Sequence, residues 1–388
     1  MTDANRNRTA PDRSRPRILV LAPHPDDESL AVGGLVQRAL ARGIDPQLVF
    51  VTDGENNPWA QRAGERRWRI GPAERERWRV RRRAEAQAAL ACLGAPGTAT
   101  TFLGHPDQGL TGLLLSGQLG LVRTLREMVC RWRPSFLVAP AFEDLHPDHS
   151  ALAVMTRFAL AGLDPAMRRP RLLQFVVHGR GPCTNSAGVS LRLTPEERAN
   201  KRAAILCHAS QLIWRRRSLL AWAGATESFL PGDSLGEGSR HPVRGAVLED
   251  GMLHLELAPR SRLGAFGPTD LLIAFAGGEG WRVLLPWRSG SALVMRWRDR
   301  SAVAMATVAR SHGATRVAIP ASVLPSGTGM FVKVERRFGF FDEAGWRLIL
   351  SHRARPGARG IPRSIHAAEL WDGAAESGEV SATPGARR

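Results

Sequence analysis

Short apolar runs recur along the first half of the chain, each followed by a longer stretch with helical spacing. The runs at 18–22, 48–52, 101–104, 136–139 and 172–177 are continuously apolar rather than alternating. That pattern belongs to strands buried on both faces of a parallel sheet. Helical spacing fills 29–42, 74–93, 114–132 and 150–162 between them. The alternation predicts an α/β fold with a doubly wound, Rossmann-like, mostly parallel sheet. A further helix is expected from Thr194, where Thr194, Pro195 and Glu197 supply an N-cap, a first-turn proline and a capping box.

The texture changes after about residue 235. Stretches such as "AVLEDGMLHLELAP" and "TRVAIPASVLPSG" are short, often alternating, and broken by Gly and Pro. They predict a C-terminal all-β module over 240–352, sandwich-like or barrel-like. The expected organisation is a polar lead-in at 1–16, an α/β domain at 17–235, the β module, and an Arg- and Gly-rich tail at 353–388. Both ends have the composition of disordered segments.

Composition narrows the function classes. The 388 residues carry a net charge of +18, yet Lys201 and Lys333 are the only lysines among 54 basic residues. The arginines are scattered apart from a cluster at 62–83 and the chain ends, which reads as a solvated basic surface and not as a specific nucleic-acid site. No stretch approaches the roughly 20 apolar residues of a membrane helix. The first residues lack the apolar core of a signal peptide. The four cysteines (Cys92, Cys130, Cys183, Cys207) form no CxxC pair, and Cys92 and Cys130 are expected to act as small buried hydrophobes. A cytoplasmic protein is the expectation.

Ligands of open α/β sheets bind beyond the carboxyl ends of the strands, so the residues following each run are informative. They are His24-Pro-Asp26-Asp27-Glu28, then Asp53-Gly54-Glu55, then His105-Pro-Asp107, then Glu143-Asp144-Leu-His146-Pro-Asp148-His149, and finally His178. Metal-capable side chains thus recur at one end of all five strands. Carboxylates this crowded become tolerable around a divalent cation. Two imidazoles and one carboxylate with an open position make a hydrolytic zinc site, and His24, Asp27 and His149 supply that set. Asp26 is then free to act as a base, and His146 to stabilise or protonate the far side of a substrate.

"APHPDDE" resembles the AHPDDE motif of the PIG-L/LmbE family of zinc-dependent N-acetylglucosaminyl deacetylases, and "LHPDHSA" resembles its HPDH motif. "VTDGE", "RRAEAQAALACLG", "FLGHPDQGL" and "KRAAILCHASQ" agree in order, so the similarity covers about residues 17–230 and stops before the β module. The resemblance implies one Zn2+, or another divalent ion such as Fe2+, held by His24, Asp27 and His149. It implies Asp26 as general base, His146 as oxyanion and leaving-group partner, and Asp148 orienting His146. Arg82 and Asp107 fall where relatives contact sugar hydroxyls or phosphate, and Asp53 joins them as a substrate-binding candidate. Where some relatives carry a tyrosine before HPDH, this chain has Asp144. The implied reaction removes the N-acetyl group from an N-acetylglucosamine-type sugar or glycoconjugate; the oligomeric state is left open.

Three other classes compete. A non-haem iron oxygenase uses similar ligands, but on a β jelly roll, whereas both motifs here lie in the α/β segment. A dehydrogenase is disfavoured because carboxylates, and no GxGxxG loop, follow the first strand. A glycan-binding protein would use Trp281, Trp287, Trp297 and Trp346 of the β module as stacking platforms, whereas a structural role places them in its core.

Overall fold

A computed structural model describes residues 16–350, apart from 180–187, 233–240, 259–268, 277, 312, 326–328 and 337–340. Cys183, the lead-in up to residue 15 and the tail from residue 351 lie outside the described residues. The five apolar runs form strands β1 (Ile18–Ala22), β2 (Pro46–Thr52), β3 (Thr100–His105), β4 (Phe136–Pro140) and β5 (Arg171–Phe175). They pair in parallel in the order β3-β2-β1-β4-β5. Successive connections run outward in opposite directions from the β1/β4 pair, which opens a crevice beyond the carboxyl ends of those two strands. The HPDD and HPDH segments both leave the sheet there.

Two strands without a usable sequence signal extend the sheet. β6 (Val189–Arg192) and β7 (Thr226–Pro231) pair antiparallel beyond β5. Each is short and half-exposed, so period-two alternation has too few residues to show. The helices are α1 (Asp27–Leu30), α2 (Gly33–Leu40), α3 (Pro58–Glu65), α4 (Pro72–Cys92), α5 (Leu110–Leu115), α6 (Gly120–Trp132), α7 (Pro147–Ala161), α8 (Pro195–Cys207) and α9 (Leu212–Leu220). The expected helix at 29–42 is therefore two helices, and that at 114–132 breaks at Gly117, whose φ of 69° ends a turn. The Thr194 capping box forms as expected. Helices cover both faces of the sheet. Ile18, Val20 and Ala22 pack toward α2, α4 and α8, while Leu19 and Leu21 pack toward α5, α6 and α7.

The β module is one antiparallel sheet rather than two stacked ones. Its strands are β8 (Val243–Glu249), β9 (Met252–Leu257), β10 (Thr269–Phe275), β11 (Trp281–Leu285), β12 (Gly290–Arg296), β13 (Ala302–Arg310), β14 (Thr315–Pro320), β15 (Met330–Arg336) and β16 (Arg347–Leu350). They run in the order β16-β15-β10-β11-β12-β13-β14-β9-β8. Register shifts at Val294/Met295, Met330/Phe331 and Val243/Gly245 coil the sheet until its edges meet. There Arg347 on β16 donates to the carbonyls of Val243 and Arg244 on β8. This is the barrel-like form of the expectation, and the sandwich-like form is corrected. Trp281 and Trp346 are buried and Trp297 packs against a buried cluster, so three of the four tryptophans are core; Trp287 alone is exposed.

The module closes the α/β layer. Leu272, Ala274, Phe331 and Trp346 share one core cluster with Leu115 of α5, Phe158 of α7 and Phe142. At Gly345 a Cβ would overlap the Phe142 carbonyl oxygen, so only glycine allows the two chains to approach this closely. Exposing even three such side chains costs about 5–9 kcal/mol, comparable to the whole stability of a domain. Truncation after residue 235 is therefore expected to yield aggregated protein or a chain without a cooperative thermal transition. A soluble, cooperatively melting fragment would contradict this shared core.

Both lysines are buried, each against a carboxylate. Lys201 Nζ lies 2.6 Å from Glu227 Oε1, and Lys333 Nζ lies 2.8 Å from Asp342 Oδ2. A compact ammonium fits these enclosed sites where a planar guanidinium fork would not. Cys130 is exposed, against the expectation of burial, while the Cys92 and Cys207 sulfurs lie 3.6 Å apart. No helix among the described residues is long and apolar enough to cross a membrane.

Candidate metal centre

Two strand exits build the centre. After β1 the chain turns through Pro23 to Pro25, and α1 begins at Asp27. After β4 it runs to His146, which is the N-cap of α7, so Pro147, Asp148 and His149 occupy the first turn. The helix thus starts three residues before the expected position, and this places His149 back over the end of β1. His24 Nδ1, Asp27 Oδ2 and His149 Nε2 form a triangle with edges of 3.2, 3.3 and 3.5 Å. A tetrahedral cation with N and O ligands at about 2.0–2.1 Å has ligand–ligand edges of about 3.3–3.4 Å. The triangle has that size. His146 and His178 adjoin it, within reach of a shared ion with His24/His149 and with Asp27/His149 respectively.

The remaining nitrogen of each imidazole in the triangle is backed by a carboxylate. His149 Nδ1 lies 3.0 Å from Asp144 Oδ2. His24 Nε2 lies 3.2 Å from Asp107 Oδ1 and 3.3 Å from Asp148 Oδ2. Such partners fix the tautomer and leave the triangle's nitrogens as lone-pair donors. Asp144 is further held by the amides of His146, Val177 and His178. Burial lowers the affinity of His149 for a proton, but Asp144 and Asp27 outweigh it and push its pKa up to about 10. Asp27 lies well below the usual carboxylate range: burial opposes this, but His149 and His24 prevail. Buried carboxylates gathered around two imidazoles are a setting in which a divalent cation displaces protons.

Asp148 differs from its expected role. Its carboxylate accepts from the amides of Gln108 and Leu110 and faces His24, at 2.6, 3.0 and 3.3 Å respectively. What reaches His146 is the Asp148 backbone amide, which donates to His146 Nδ1 at 3.2 Å. A helix N-cap supplies this bond, and no carboxylate is needed for it. With Nδ1 accepting, His146 presents Nε2–H as a donor. Burial and the neighbouring imidazoles hold His146 well below the ordinary histidine range, so it is neutral.

Asp26 sits beside the triangle in a strained conformation, with φ of 145°. Glu28 holds it there, accepting the Asp26 amide at 2.8 Å while its other oxygen lies 2.7 Å from His208 Nε2. Burial raises the Asp26 pKa to about 6, tempered by Arg82, whose guanidinium lies 3.4 Å from its carboxylate. Arg82 also donates to the Pro25 carbonyl and lines the cleft. Its neighbours point elsewhere: Arg81 pairs with Glu85, and Arg83 makes a two-pronged pair with Asp53 at 2.7 Å per contact. Asp53 is thereby corrected. It is buried, spent on Arg83, and absent from the cleft lining, because the turn at Gly54 carries the chain past it. Asp107 does line the cleft and also accepts the Asn56 amide at 2.9 Å.

The cleft mouth includes residues that the sequence did not single out. Phe341 of the β module stands with its ring centroid 5.1 Å from that of His178 and 6.0 Å from that of His146. The adjoining Asp342 amide donates to the Leu145 carbonyl at 2.9 Å. Trp59, Gln211 and Trp214 complete the rim from α3 and α9. A phenylalanine this far downstream of both the HPDD and the HPDH motifs carries no sequence signal for this role.

Residues 19–160 match the family described as PIG-L, GlcNAc-PI de-N-acetylase. The matched segment is the one that holds both the HPDD and the HPDH motifs. A 1D-myo-inositol 2-acetamido-2-deoxy-alpha-D-glucopyranoside deacetylase of Mycobacteroides abscessus is 31% identical over 167 residues, covering 37% of this chain and 55% of that protein. Its namesake from Tsukamurella paurometabola is 27% identical over 195 residues, covering 42% and 63%. The chain thus spans between about half and two thirds of the length of these curated relatives. Among solved structures, a conserved protein of Thermus thermophilus is 28% identical with a TM-score of 0.39, covering 55% of this chain and 93% of that one. The β module lies outside the residues the family matches.

Proposed function

We propose that this chain is a zinc-dependent amidohydrolase that removes the N-acetyl group from an N-acetylglucosamine-type sugar or glycoconjugate, giving acetate and a free amine. The observation that carries the reading is the tetrahedrally spaced His24–Asp27–His149 triangle with Asp26 beside it, inside a PIG-L domain. The relatives named as deacetylases of an acetamido sugar support the substrate class. The strand order, with helices on both faces, supports a doubly wound, Rossmann-like catalytic unit at 17–235, and the β module at 240–352 serves as its buttress.

A zinc ion, or another divalent cation such as Fe2+, supplies Lewis acidity when held by His24, Asp27 and His149, lowering the pKa of water toward about 7 and polarising the acetamide carbonyl. Asp26 accepts the proton of the attacking water, its carboxylate kept receptive by burial and aligned by Glu28 through the backbone. His146 donates Nε2–H to the developing oxyanion, and the proton that Asp26 has taken from water passes to the departing amine. Asp148 acts as a positioning residue: its amide sets the His146 tautomer and its carboxylate steadies His24. Arg82 and Asp107 line the cleft where sugar hydroxyls or a phosphate are received.

Incubation of the full chain with N-acetylglucosamine conjugates is expected to release acetate and primary amine in equal amounts. A chelator stops the reaction and added zinc restores it. Turnover that survives exhaustive chelation, or amine without acetate, would overturn the proposal.

A further inference from the structure

We infer that the face around the cleft mouth docks onto an anionic lipid bilayer. Three indoles project from it: Trp59 on α3 is 65% exposed, Trp68 beyond α3 is 75% exposed, and Trp214 on α9 is 72% exposed. They belong to one patch. The Arg62 guanidinium lies 4.9 Å from the ring centroids of both Trp59 and Trp68. Ile213 of α9 packs over Gly64 of α3, and Trp59 and Trp214 both line the cleft. Around the indoles Arg66, Arg69, Arg215, Arg216 and Arg217 are exposed. The nearby acids are engaged: Glu65 pairs with Arg77, and Glu74 with Arg67 and Arg77.

Exposed apolar clusters of this kind mark interaction sites. Indole, apolar in body with one N–H, prefers the water–membrane interface, and arginines on the same face attract anionic headgroups. A neutral glycan gives the arginines no partner, and a soluble polyanion gives the three indoles no apolar phase. An anionic bilayer satisfies both. The cleft opens in this face, so the sugar of a membrane-held glycoconjugate enters it without leaving the bilayer. That consequence rests on the deacetylase reading; the docking itself does not.

The test is sedimentation of the full chain with vesicles, which needs no turnover. Partition onto phosphatidylcholine vesicles containing about a third phosphatidylglycerol is expected to exceed that onto pure phosphatidylcholine by at least about tenfold, and to weaken with salt. Tryptophan emission shifts to shorter wavelength on binding. Trp68→Ser with Trp214→Ser, and separately Arg216→Glu with Arg217→Glu, each lower the partition about tenfold. Undiminished binding by both variants would assign the effect to basic surface elsewhere and overturn the inference. So would retention on heparin without any binding to vesicles, which would make the partner a soluble polyanion.

Discussion

His149→Ala is expected to abolish metal uptake. The purified variant should hold well under a tenth of the zinc bound by the unaltered chain, as counted by elemental analysis after dialysis against a stated zinc concentration. His149 supplies one corner of the triangle, where the first turn of α7 holds it opposite His24 and Asp27. Losing one of three protein ligands should weaken binding by more than about 100-fold, beyond the 10–100-fold typical of losing an outer-shell partner. Asp144→Asn tests that lesser class, since it removes only the carboxylate behind His149 Nδ1. Full zinc occupancy in His149→Ala would show that the metal, if bound, sits elsewhere.

Asp26→Asn should separate metal binding from turnover. Asp26 contributes no atom to the triangle, and asparagine matches aspartate in shape and keeps the backbone amide that Glu28 accepts, so the backbone is retained. Zinc content should match that of the unaltered chain while kcat falls about 10²–10⁴-fold, the usual contribution of a general base. KM should change little, because the amide keeps the size of the carboxylate. Asp26→Ala should lose turnover to a similar extent. If Asp26→Ala loses zinc as completely as His149→Ala, the division between base and ligand fails.

Much of the centre was legible because its signal is local. HPDD and HPDH are short and follow apolar runs that form buried strands, and the same motifs carry the resemblance to the PIG-L family. Arg82 was legible as a candidate but not in register, since three consecutive arginines look alike until helix geometry sends Arg81 to Glu85, Arg83 to Asp53 and Arg82 to Asp26. Asp53 misled because a carboxylate at a strand end looks the same whether it faces the cleft or a helix. Asp148 was expected to orient His146; its amide reaches His146, whereas its carboxylate reaches His24. For Glu28, which follows the two aspartates, only the arrival of His208 from the end of α8, 180 residues later, shows that it anchors Asp26.

The sequence by itself determined which side chains could hold a metal ion, the α/β core that carries them and the existence of a β-rich second part, because each depends on residue types spaced within one strand, turn or helix. Tertiary structure alone decided which carboxylate backs which imidazole, that Asp53 is spent on Arg83, that the β module is a rolled sheet sharing its core with α5 and α7, and that Phe341 reaches the cleft. Those outcomes depend on contacts between segments tens to hundreds of residues apart. Such contacts are selected by the burial of Trp346, Phe331 and Phe142 together, and no local pattern records them.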